Sequence, residues 1–473
     1  MIGTESRQQR GMSLRIFQDL RRISMTQTMS MQRALERAPE TGDFLLGAGC
    51  RFKIPAVFQR CFPGKVAIII ADDKTFAAAG RTVQAALQAS EVASVEPFVF
   101  PGEPTLHADY EHVERLREVL SASPDLIPLA VGSGTINDLV KRTVFELERR
   151  YLVLATAASV DGYSSFGAPI VQQGFKKTMD CPAPLVIVAD SEVLRDAPPE
   201  MSAAGYADLM SKIPAGADWI LADLLDLDPI EPVAWDMVQA GLRRWVGAPE
   251  QLQQGDAQAF EALFEGLTMS GFAMQAIRKS RPASGADHLL SHIWDMQYHR
   301  DAQGHSVSHG FQVALGSLAS IALMERFFAK DIPKLDIDAV CRKRQSWDAR
   351  AADILKAFGE NAISQRAIEE SRAKFADHEE LRARLTRLVS KWDEMRARVQ
   401  AQLFPYAEFR AMLAAAACPV TPQQIHLSRE RFRETFRLAQ MIRNRYTILD
   451  LAYETGLLEE CVEEILASPC YLS

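Results

Sequence analysis

Several features that would identify a nucleic-acid-binding, disulfide-bonded or membrane protein are missing from this 473-residue chain. Lys and Arg number 53 against 61 Asp and Glu, so the net charge is −8 and a nucleic-acid backbone finds no electrostatic partner. The seven cysteines form no C-x-x-C pair, and this scatter suits a reducing, cytoplasmic compartment. No apolar run approaches the length of a membrane span. We therefore expect a globular cytoplasmic protein with no nucleic-acid partner and no membrane span.

The N-terminal segment is rich in arginine and poor in apolar runs. Five arginines lie within the first 22 residues, together with Glu5 and Asp19. A secretory signal requires an apolar h-region, which this stretch lacks. We expect residues 1–42 to form a peripheral N-terminal helical extension.

Strand-like and helix-like stretches alternate between residues 43 and 197. The run VAIIIADD (66–73) is short, continuous and apolar, as in a buried parallel strand. An alanine-rich stretch of helical spacing follows it. Further strands are predicted in VEPFVF, LIPLAV, YLVLATAAS and APLVIVAD. This alternation predicts an α/β domain over 43–197 with a parallel sheet, which binds its ligands at the carboxyl ends of the strands.

The pattern changes near Asp196, where the strand-like runs stop. The segments become long and amphipathic, for example SAAGYADLMSKIPAGADWILADLL and HGFQVALGSLASIALMERFFAK. Residues 361–403 are densely charged at helical spacing, which is typical of the solvated face of a helix bundle. The sequence therefore predicts an all-helical domain over 198–473.

A glycine-containing turn directly follows the strand LIPLAV. Its residues, Gly132, Ser133, Gly134, Thr135 and Ile136, open a helix, and free N–H groups at a helix start favour an anion such as a pyrophosphate. Position 137 is not glycine, so the G-x-G-x-x-G fingerprint fails. A phosphate cradle and a plain tight turn remain equally good interpretations.

Small and hydroxyl-bearing residues end the next strand in TAASVDGYSS (156–165). Such side chains can hydrogen-bond a ligand without crowding it, and Asp161 adds a carboxylate to the same loop. Ordinary Asx and Ser turns would explain the same composition.

Five of the nine histidines lie in one stretch, residues 285–310. They are His288, His292, His299, His305 and His309. The first two are four residues apart and so share one face of a helix among apolar neighbours. This pair indicates either a metal site or a polar core feature. It is not a zinc-protease helix, because the glutamate of H-E-x-x-H is replaced by leucine.

A second pair with helical spacing begins the all-helical half. Asp208 and Lys212 are four residues apart in AGYADLMSK. A surface salt bridge would account for both residues, and a ligand-binding role is the alternative.

Together these segments resemble the sn-glycerol-1-phosphate dehydrogenases, which are relatives of the glycerol dehydrogenases, iron-dependent alcohol dehydrogenases and 3-dehydroquinate synthases. The matching pieces occur in the family's order. They are GSGTINDLVK (132–141), TAASVDGYSS (156–165), AGYADLMSK (204–212), ADHLLSH (286–292), HG (309–310) and RNRYTILDLAYETGLL (443–458). Two departures are visible: Ala207 replaces a usual glycine, and the loop between His292 and His309 is long.

The resemblance implies a dehydroquinate synthase-like fold with one divalent ion, zinc or nickel, bound by Asp208, His288 and His309. Because of the long loop, His299 and His305 remain alternatives for the third ligand. Asp161 and His292 would contact the substrate beside the ligand Asp208, with His292 in proton transfer. The resemblance makes residues 43–197 the dinucleotide-binding domain and residues 198–473 the metal-binding and catalytic domain. The residues that would hold the cofactor are Gly132, Ser133, Gly134, Thr135, Ile136, Thr156, Ala157, Ala158, Ser159 and Ser165. Asp72 joins them because of its position at the end of a strand.

The implied reaction is the reduction of dihydroxyacetone phosphate to sn-glycerol 1-phosphate. Lys212 could bind the substrate phosphate, and NAD(H) is preferred over NADP(H) because Asp72 ends a strand where a ribose diol can donate to a carboxylate. Three alternatives stay open: a dehydrogenase of unphosphorylated polyols or alcohols, a dehydroquinate synthase-like lyase, and a non-catalytic protein that binds nucleotide or metal. A homo-oligomer such as a dimer is compatible with each of them.

Overall fold

The computed structural model describes residues 29–172 and 175–471, and of Phe175 and Lys176 only the backbone. Residues 1–28, most of the expected N-terminal extension, lie outside the described residues. The described remainder of that segment forms one helix, α1 (Met31–Arg37), which is capped by Ser30 and packs against a long helix of the C-terminal half.

A six-stranded parallel sheet forms the N-terminal half, as expected. Its strands are β1 (Asp43–Leu46), β2 (Val66–Asp72), β3 (Phe98–Phe100), β4 (Leu126–Gly132), β5 (Leu152–Ala155) and β8 (Val186–Ala189). They lie in the order β1-β8-β5-β4-β2-β3, and every neighbouring pair is parallel. A separate antiparallel hairpin joins β6 (Ala168–Gln172) to β7 (Phe175–Met179).

Both faces of the sheet are covered, which explains why its strands are apolar without interruption. Along β2, Ile68 and Ile70 pack into the large core shared with the helical half. Ala67 and Ile69 point the other way, into a smaller core beneath the helices of the N-terminal half. Since successive side chains of a strand alternate between faces, an apolar run of this kind requires two cores.

Helices connect the strands of the N-terminal half. They are α2 (Ile54–Cys61), α3 (Arg81–Gln88), α4 (Tyr110–Ser121), α5 (Gly134–Glu146) and α6 (Ser191–Arg195). A short helical turn, Asp73–Thr75, and a π-helical turn, Phe76–Gly80, precede α3. Single 3-10 turns occur at Cys50–Lys53 and Asp161–Tyr163.

The C-terminal half is helical, and the structure describes no strand after β8. Its first seven helices are α7 (Pro199–Met210), α8 (Lys212–Leu224), α9 (Pro232–Trp245), α10 (Pro249–Gln253), α11 (Ala257–Ile277), α12 (Ala286–Met296) and α13 (His309–Phe328). The others are α14 (Ile337–Arg342), α15 (Trp347–Phe358), α16 (Ala362–Lys374), α17 (His378–Ser390), α18 (Trp392–Gln402), α19 (Tyr406–Ala415), α20 (Arg429–Ala439), α21 (Ile448–Glu454) and α22 (Leu458–Ala467). Three 3-10 turns, Arg281–Ala283, Ile332–Lys334 and Pro422–Ile425, connect them.

Helix α13 is long and apolar enough to cross a membrane, although we expected no such segment. Its 18-residue apolar window is 83% buried inside the protein. Burial to this extent is what the central helix of a bundle requires, since such a helix is apolar on all sides.

Candidate metal and cofactor site

Three side chains from three different helices meet in the core of the helical half. Asp208 lies near the end of α7, His288 in the first turn of α12, and His309 is the first residue of α13. Their ligand atoms lie within 4.8 Å of one another. His288 Nε2 is 3.8 Å from Asp208 Oδ1, whereas two ligands of a tetrahedral zinc ion are about 3.4 Å apart. Small side-chain rotations would therefore bring this set to coordination distance.

A close crossing of α7 and α13 makes this arrangement possible. A Cβ on Gly310 would lie 2.0 Å from the carbonyl oxygen of Ala204, a distance that no side chain tolerates. Gly310 directly follows His309, and Ala204 is one helical turn before Asp208. The glycine thus allows the two helices to touch where they carry two of the clustered residues.

The Asp208 carboxylate forms an ion pair with Lys212 and a hydrogen bond with the backbone of Asp161. Lys212 Nζ donates to Asp208 Oδ1 at 2.5 Å and lies 3.0 Å from Asp161 Oδ2. The other oxygen of Asp208 accepts the backbone N–H of Asp161 at 3.0 Å, and Ser270 Oγ donates to Asp161 Oδ2 at 2.9 Å. These bonds tie the loop that follows β5 to the first helices of the C-terminal half.

The charges of this cluster favour a cation. Burial alone would raise the pKa of Asp208, but the ammonium of Lys212 outweighs it and is the main reason why that pKa is lowered to about 2. Burial lowers the pKa of His288 well below its ordinary value, so its imidazole is neutral at pH 7. Two carboxylates, Asp208 and Asp161, therefore face one ammonium in a buried site. One carboxylate and two imidazoles fit a catalytic zinc or nickel ion, with a coordination position left open for substrate.

The other three histidines of the stretch lie outside this ligand set. His292 lies one helical turn after His288, with ring centroids 6.4 Å apart, and burial followed by the charge of Arg443 lowers its pKa well below the ordinary value. His299 donates from Nε2 to the carbonyl of Ile425 at 2.7 Å and accepts from Arg431. His305 is exposed and pairs with Asp301. His299 and His305, the alternatives for the third ligand, therefore lie outside the cluster of Asp208, His288 and His309.

A cavity of about 640 Å³ opens between the carboxyl ends of the strands and the helical half. Four of the expected cofactor residues line it, namely Asp72, Ser133, Thr135 and Thr156. Met201 and Pro198 of the helical half close the opposite side. Because the N-terminus of α5 begins at Gly134, beside Ser133, free backbone N–H groups lie next to this cavity.

Seven of the expected cofactor residues are not among those that line the cavity. They are Gly132, Gly134, Ile136, Ala157, Ala158, Ser159 and Ser165. A Cβ on Gly132 would lie 2.5 Å from the side chain of Ile136, so this glycine lets α5 fold back on β4. Ala157 and Ala158 are buried, and Ser165 Oγ donates to the carbonyl of Gly162. Turn chemistry, the alternative for this loop, therefore accounts for Ser165.

Asp72 has a second role at the end of β2. Its Oδ1 accepts the backbone N–H of Thr75 at 2.8 Å and so caps the next helical turn. The neighbouring Asp73 accepts the N–H of Gly102 at 2.9 Å. Asp72 nevertheless lines the cavity, so capping and cofactor binding are compatible at this position.

Two buried residues of α5 hold the loop that follows β5, and the sequence analysis missed both contacts. Lys141 is fully buried and donates to the carbonyls of Gly162, Ser165 and Gly167 at 2.8 to 3.0 Å. Asn137, which breaks the dinucleotide fingerprint, donates from Nδ2 to the carbonyl of Gly162 at 3.4 Å and accepts from the hydroxyl of Tyr151 at 2.8 Å. A lysine inside an apolar helix face was the available signal, because a buried ammonium requires several acceptors.

The sequence matches known proteins in two ways, through a family model and through individual relatives. Residues 45–198 match the family model described as iron-containing alcohol dehydrogenase. The chain is 33% identical over 306 residues to a glycerol-1-phosphate dehydrogenase [NAD(P)+] of Geobacillus stearothermophilus, covering 64% of this chain and 73% of the relative. It is 32% identical over 276 residues to the enzyme of the same name from Geobacillus thermodenitrificans, covering 58% of this chain and 67% of that relative.

Solved structures show the same fold at low sequence identity. A maleylacetate reductase from Agrobacterium tumefaciens matches with a TM-score of 0.58 at 14% identity, over 92% of this chain and 98% of that one. A glycerol dehydrogenase from Schizosaccharomyces pombe matches with a TM-score of 0.56 at 14% identity, over 90% of both chains. The expected dehydroquinate synthase-like fold is confirmed. The chain belongs to the glycerol-1-phosphate dehydrogenase family and is an NAD(P)-dependent oxidoreductase.

Proposed function

We propose that the enzyme reduces dihydroxyacetone phosphate to sn-glycerol 1-phosphate with NADH and one divalent metal ion. The observation that carries the proposal is the cluster of Asp208, His288 and His309. The loop after β5 links it to the cofactor cavity, since Thr156 lines the cavity and Asp161 contacts Lys212 beside the cluster. Nicotinamide and ketone would therefore meet along one loop.

Zinc or nickel would be held by Asp208, His288 and His309, and when bound it polarises the ketone carbonyl of the substrate. The chain positions the substrate around that carbonyl. Asp161 would accept a hydrogen bond from the free hydroxyl of dihydroxyacetone phosphate, since Ser270 and Lys212 already orient its carboxylate. Asp208 and His288 are buried, and polar interactions are stronger in such a low-dielectric environment than in water.

His292 would move the proton that the reaction consumes. Hydride transfer to the ketone carbon leaves a negative oxygen, which needs one proton to become the product hydroxyl. Burial keeps His292 neutral at pH 7, so one ring nitrogen would donate its proton to the substrate oxygen while the other ring nitrogen takes up a proton from solvent. In the reverse direction the same neutral nitrogen accepts the proton of the glycerol hydroxyl.

Lys212 is our candidate for a charge that favours a phosphorylated substrate. An ammonium has three N–H groups, and among the described residues two of them face Asp208 and Asp161. The third would donate to a substrate oxygen. A charge-assisted hydrogen bond is worth roughly 1.5–3 kcal/mol, or about 10- to 150-fold in binding. The enclosed position of Lys212 equally suits the plain ion pair, so a substitution is needed to separate the two roles.

The test compares kcat/KM for dihydroxyacetone phosphate and dihydroxyacetone in wild type and in Lys212→Met. We expect wild type to prefer the phosphorylated ketone and the variant to lose about 10-fold or more of that preference. Lys374→Met is the matched control, because Lys374 is also a buried lysine paired with an aspartate, Asp450, in another part of the helical half.

Two other outcomes would change the assignment. Faster turnover of dihydroxyacetone by wild type would make the protein a dehydrogenase of unphosphorylated polyols. An unchanged preference in Lys212→Met would leave the substrate in place and remove Lys212 from phosphate binding.

The NADH preference, the compartment and the assembly belong to the same proposal. Asp72 lines the cofactor cavity, where a carboxylate favours a ribose diol over a 2′-phosphate. All seven cysteines are free thiols, as suits the reducing cytosol. We also propose that the chain forms a homo-oligomer, of which a dimer is the simplest. Light scattering measures the mass of the particle in solution and so tests this.

A further inference from the structure

We propose that Asp287 is the positioning residue of the metal site, because it fixes the tautomer and the orientation of His288. The inference rests on the metal site proposed above. It concerns a residue that lies next to a ligand in the sequence but outside the ligand set.

The contact between the two side chains is direct and buried. Asp287 Oδ2 accepts a hydrogen bond from His288 Nδ1, and Asp287 is completely buried. The other oxygen, Oδ1, accepts the backbone N–H of Gly285 at 3.1 Å. Both carboxylate oxygens are thus held in place, and the carboxylate in turn holds the imidazole ring.

Adjacent residues on a helix do not normally face each other. Here the contact forms because Asp287 is the second residue of α12 and its side chain folds back on Gly285, the N-cap of the helix. A Cβ on Gly285 would lie 2.8 Å from Asp287 Oδ1, so the absence of a side chain leaves room for this arrangement.

The direction of the bond determines which nitrogen can bind a metal. A carboxylate oxygen accepts, so we assign the ring proton to Nδ1. Nε2 then keeps its lone pair, and Nε2 is the atom that lies 3.8 Å from Asp208 Oδ1. A carboxylate behind a histidine orients the ring and raises its basicity, and its loss typically lowers metal affinity by about 10- to 100-fold.

A simpler role for Asp287 would be to favour the start of α12, as an acidic residue in a first helical turn does. Asp218 provides the matched control for that role. It is also fully buried, and its Oδ2 accepts the N–H of Ala286 at the start of the same helix at 2.7 Å. Its Oδ1 accepts the N–H of Ile448 at 2.7 Å. Asp218→Asn therefore weakens the anchoring of α12 without touching the imidazole.

The experiment measures the dissociation constant of Zn²⁺ by competition with a chromophoric chelator, without cofactor or substrate. We expect Asp287→Asn to weaken binding by about 10- to 100-fold. Asp287→Glu, which keeps a carboxylate, should restore most of the affinity, and Asp218→Asn should bind as wild type does. Circular dichroism shows which variants are folded. If Asp287→Asn does not fold, the zinc affinity of Asp287→Glu can still be compared with that of wild type and of Asp218→Asn.

A second readout does not depend on the ion. Nitrogen-15 NMR of the histidine rings in metal-free protein reports which nitrogen carries the proton, and the His288 signal is identified by its loss in His288→Gln. We expect the Nδ1–H tautomer in wild type and its loss in Asp287→Asn.

Wild-type zinc affinity in Asp287→Asn, or an equal loss in Asp218→Asn, would overturn the inference. If wild type binds no zinc or nickel, the proposed metal site fails instead, and the tautomer of His288 still decides whether Asp287 positions the ring.

Discussion

Replacing Gly310 with alanine should damage the proposed metal site without touching any of its ligands. The added Cβ would lie 2.0 Å from the Ala204 carbonyl oxygen, and such contacts are essentially never closer than 3.0 Å. Helices α7 and α13 would therefore have to separate by about 1 Å at this crossing. His309 directly precedes the substituted residue, and Asp208 is one turn from Ala204, so the ligand atoms would separate by a comparable amount.

Metal sites tolerate far less displacement than this. Metal–ligand distances normally stay within about 0.2 Å of their ideal values, and a misplacement of about 1 Å can cost roughly 10²-fold in rate. We expect Gly310→Ala to lose at least that factor in kcat/KM and to weaken zinc binding in chelator competition. Overpacking of the core should also destabilise the fold by about 1–3 kcal/mol.

The control is Ser317→Ala in the same helix. The Ser317 hydroxyl is buried without a hydrogen-bond partner among the described residues, so its removal should leave zinc affinity unchanged. A folded Gly310→Ala protein with the zinc affinity and rate of wild type would refute the argument that this helix crossing assembles the site.

Three further substitutions test separate parts of the account. His292→Ala should keep its metal and lose about 10²-fold in rate, the usual scale for a general acid–base group; metal loss, measured by atomic absorption, would make His292 a ligand instead. Asp72→Gly should reduce the preference for NADH over NADPH in kcat/KM, and unchanged selectivity would remove Asp72 from cofactor recognition. Burial lowers the pKa of His299 below its ordinary 6.5, so the unfolded chain takes up a proton that the folded protein resists. Stability should therefore fall as the pH drops below about 6.5, by up to 1.4 kcal/mol per pH unit. Urea midpoints at pH 7 and 5.5 should differ less in His299→Gln, and an equal difference would contradict this assignment.

The buried sheet could be predicted from the sequence because a parallel strand covered on both faces is apolar throughout. The runs in β2, β4, β5 and β8 all have this pattern. Strand β1 and the hairpin of β6 and β7 were not predicted. Strand β1 has only four residues, all half-buried, and its apolar run of three residues is too short to stand out as a strand.

In the C-terminal half, the sequence predicted the presence of the helices better than the residues at which they begin and end. The stretch read as one segment from Ser202 divides into α7 and α8 at Ser211. Pro214 explains the break, because a proline inside a helix removes one backbone N–H and disfavours helical geometry before it.

The proposed site was only partly accessible from residue spacing. The interval of four residues placed His288 and His292 on one face, but His309 joins Asp208 through a tertiary helix crossing that no local pattern encodes. The family resemblance supplied that expectation. The contact between Asp287 and His288 was not predicted from the sequence, because adjacent residues on a helix ordinarily do not face each other.

The most direct test of the central claim is metal-dependent NADH oxidation with dihydroxyacetone phosphate, followed by stereochemical analysis of the product. Protein stripped with a chelator should be inactive, and one equivalent of Zn²⁺ or Ni²⁺ should restore the reaction and give the sn-1 enantiomer of glycerol phosphate. Undiminished turnover by the metal-free protein, or formation of the sn-3 enantiomer, would contradict the account.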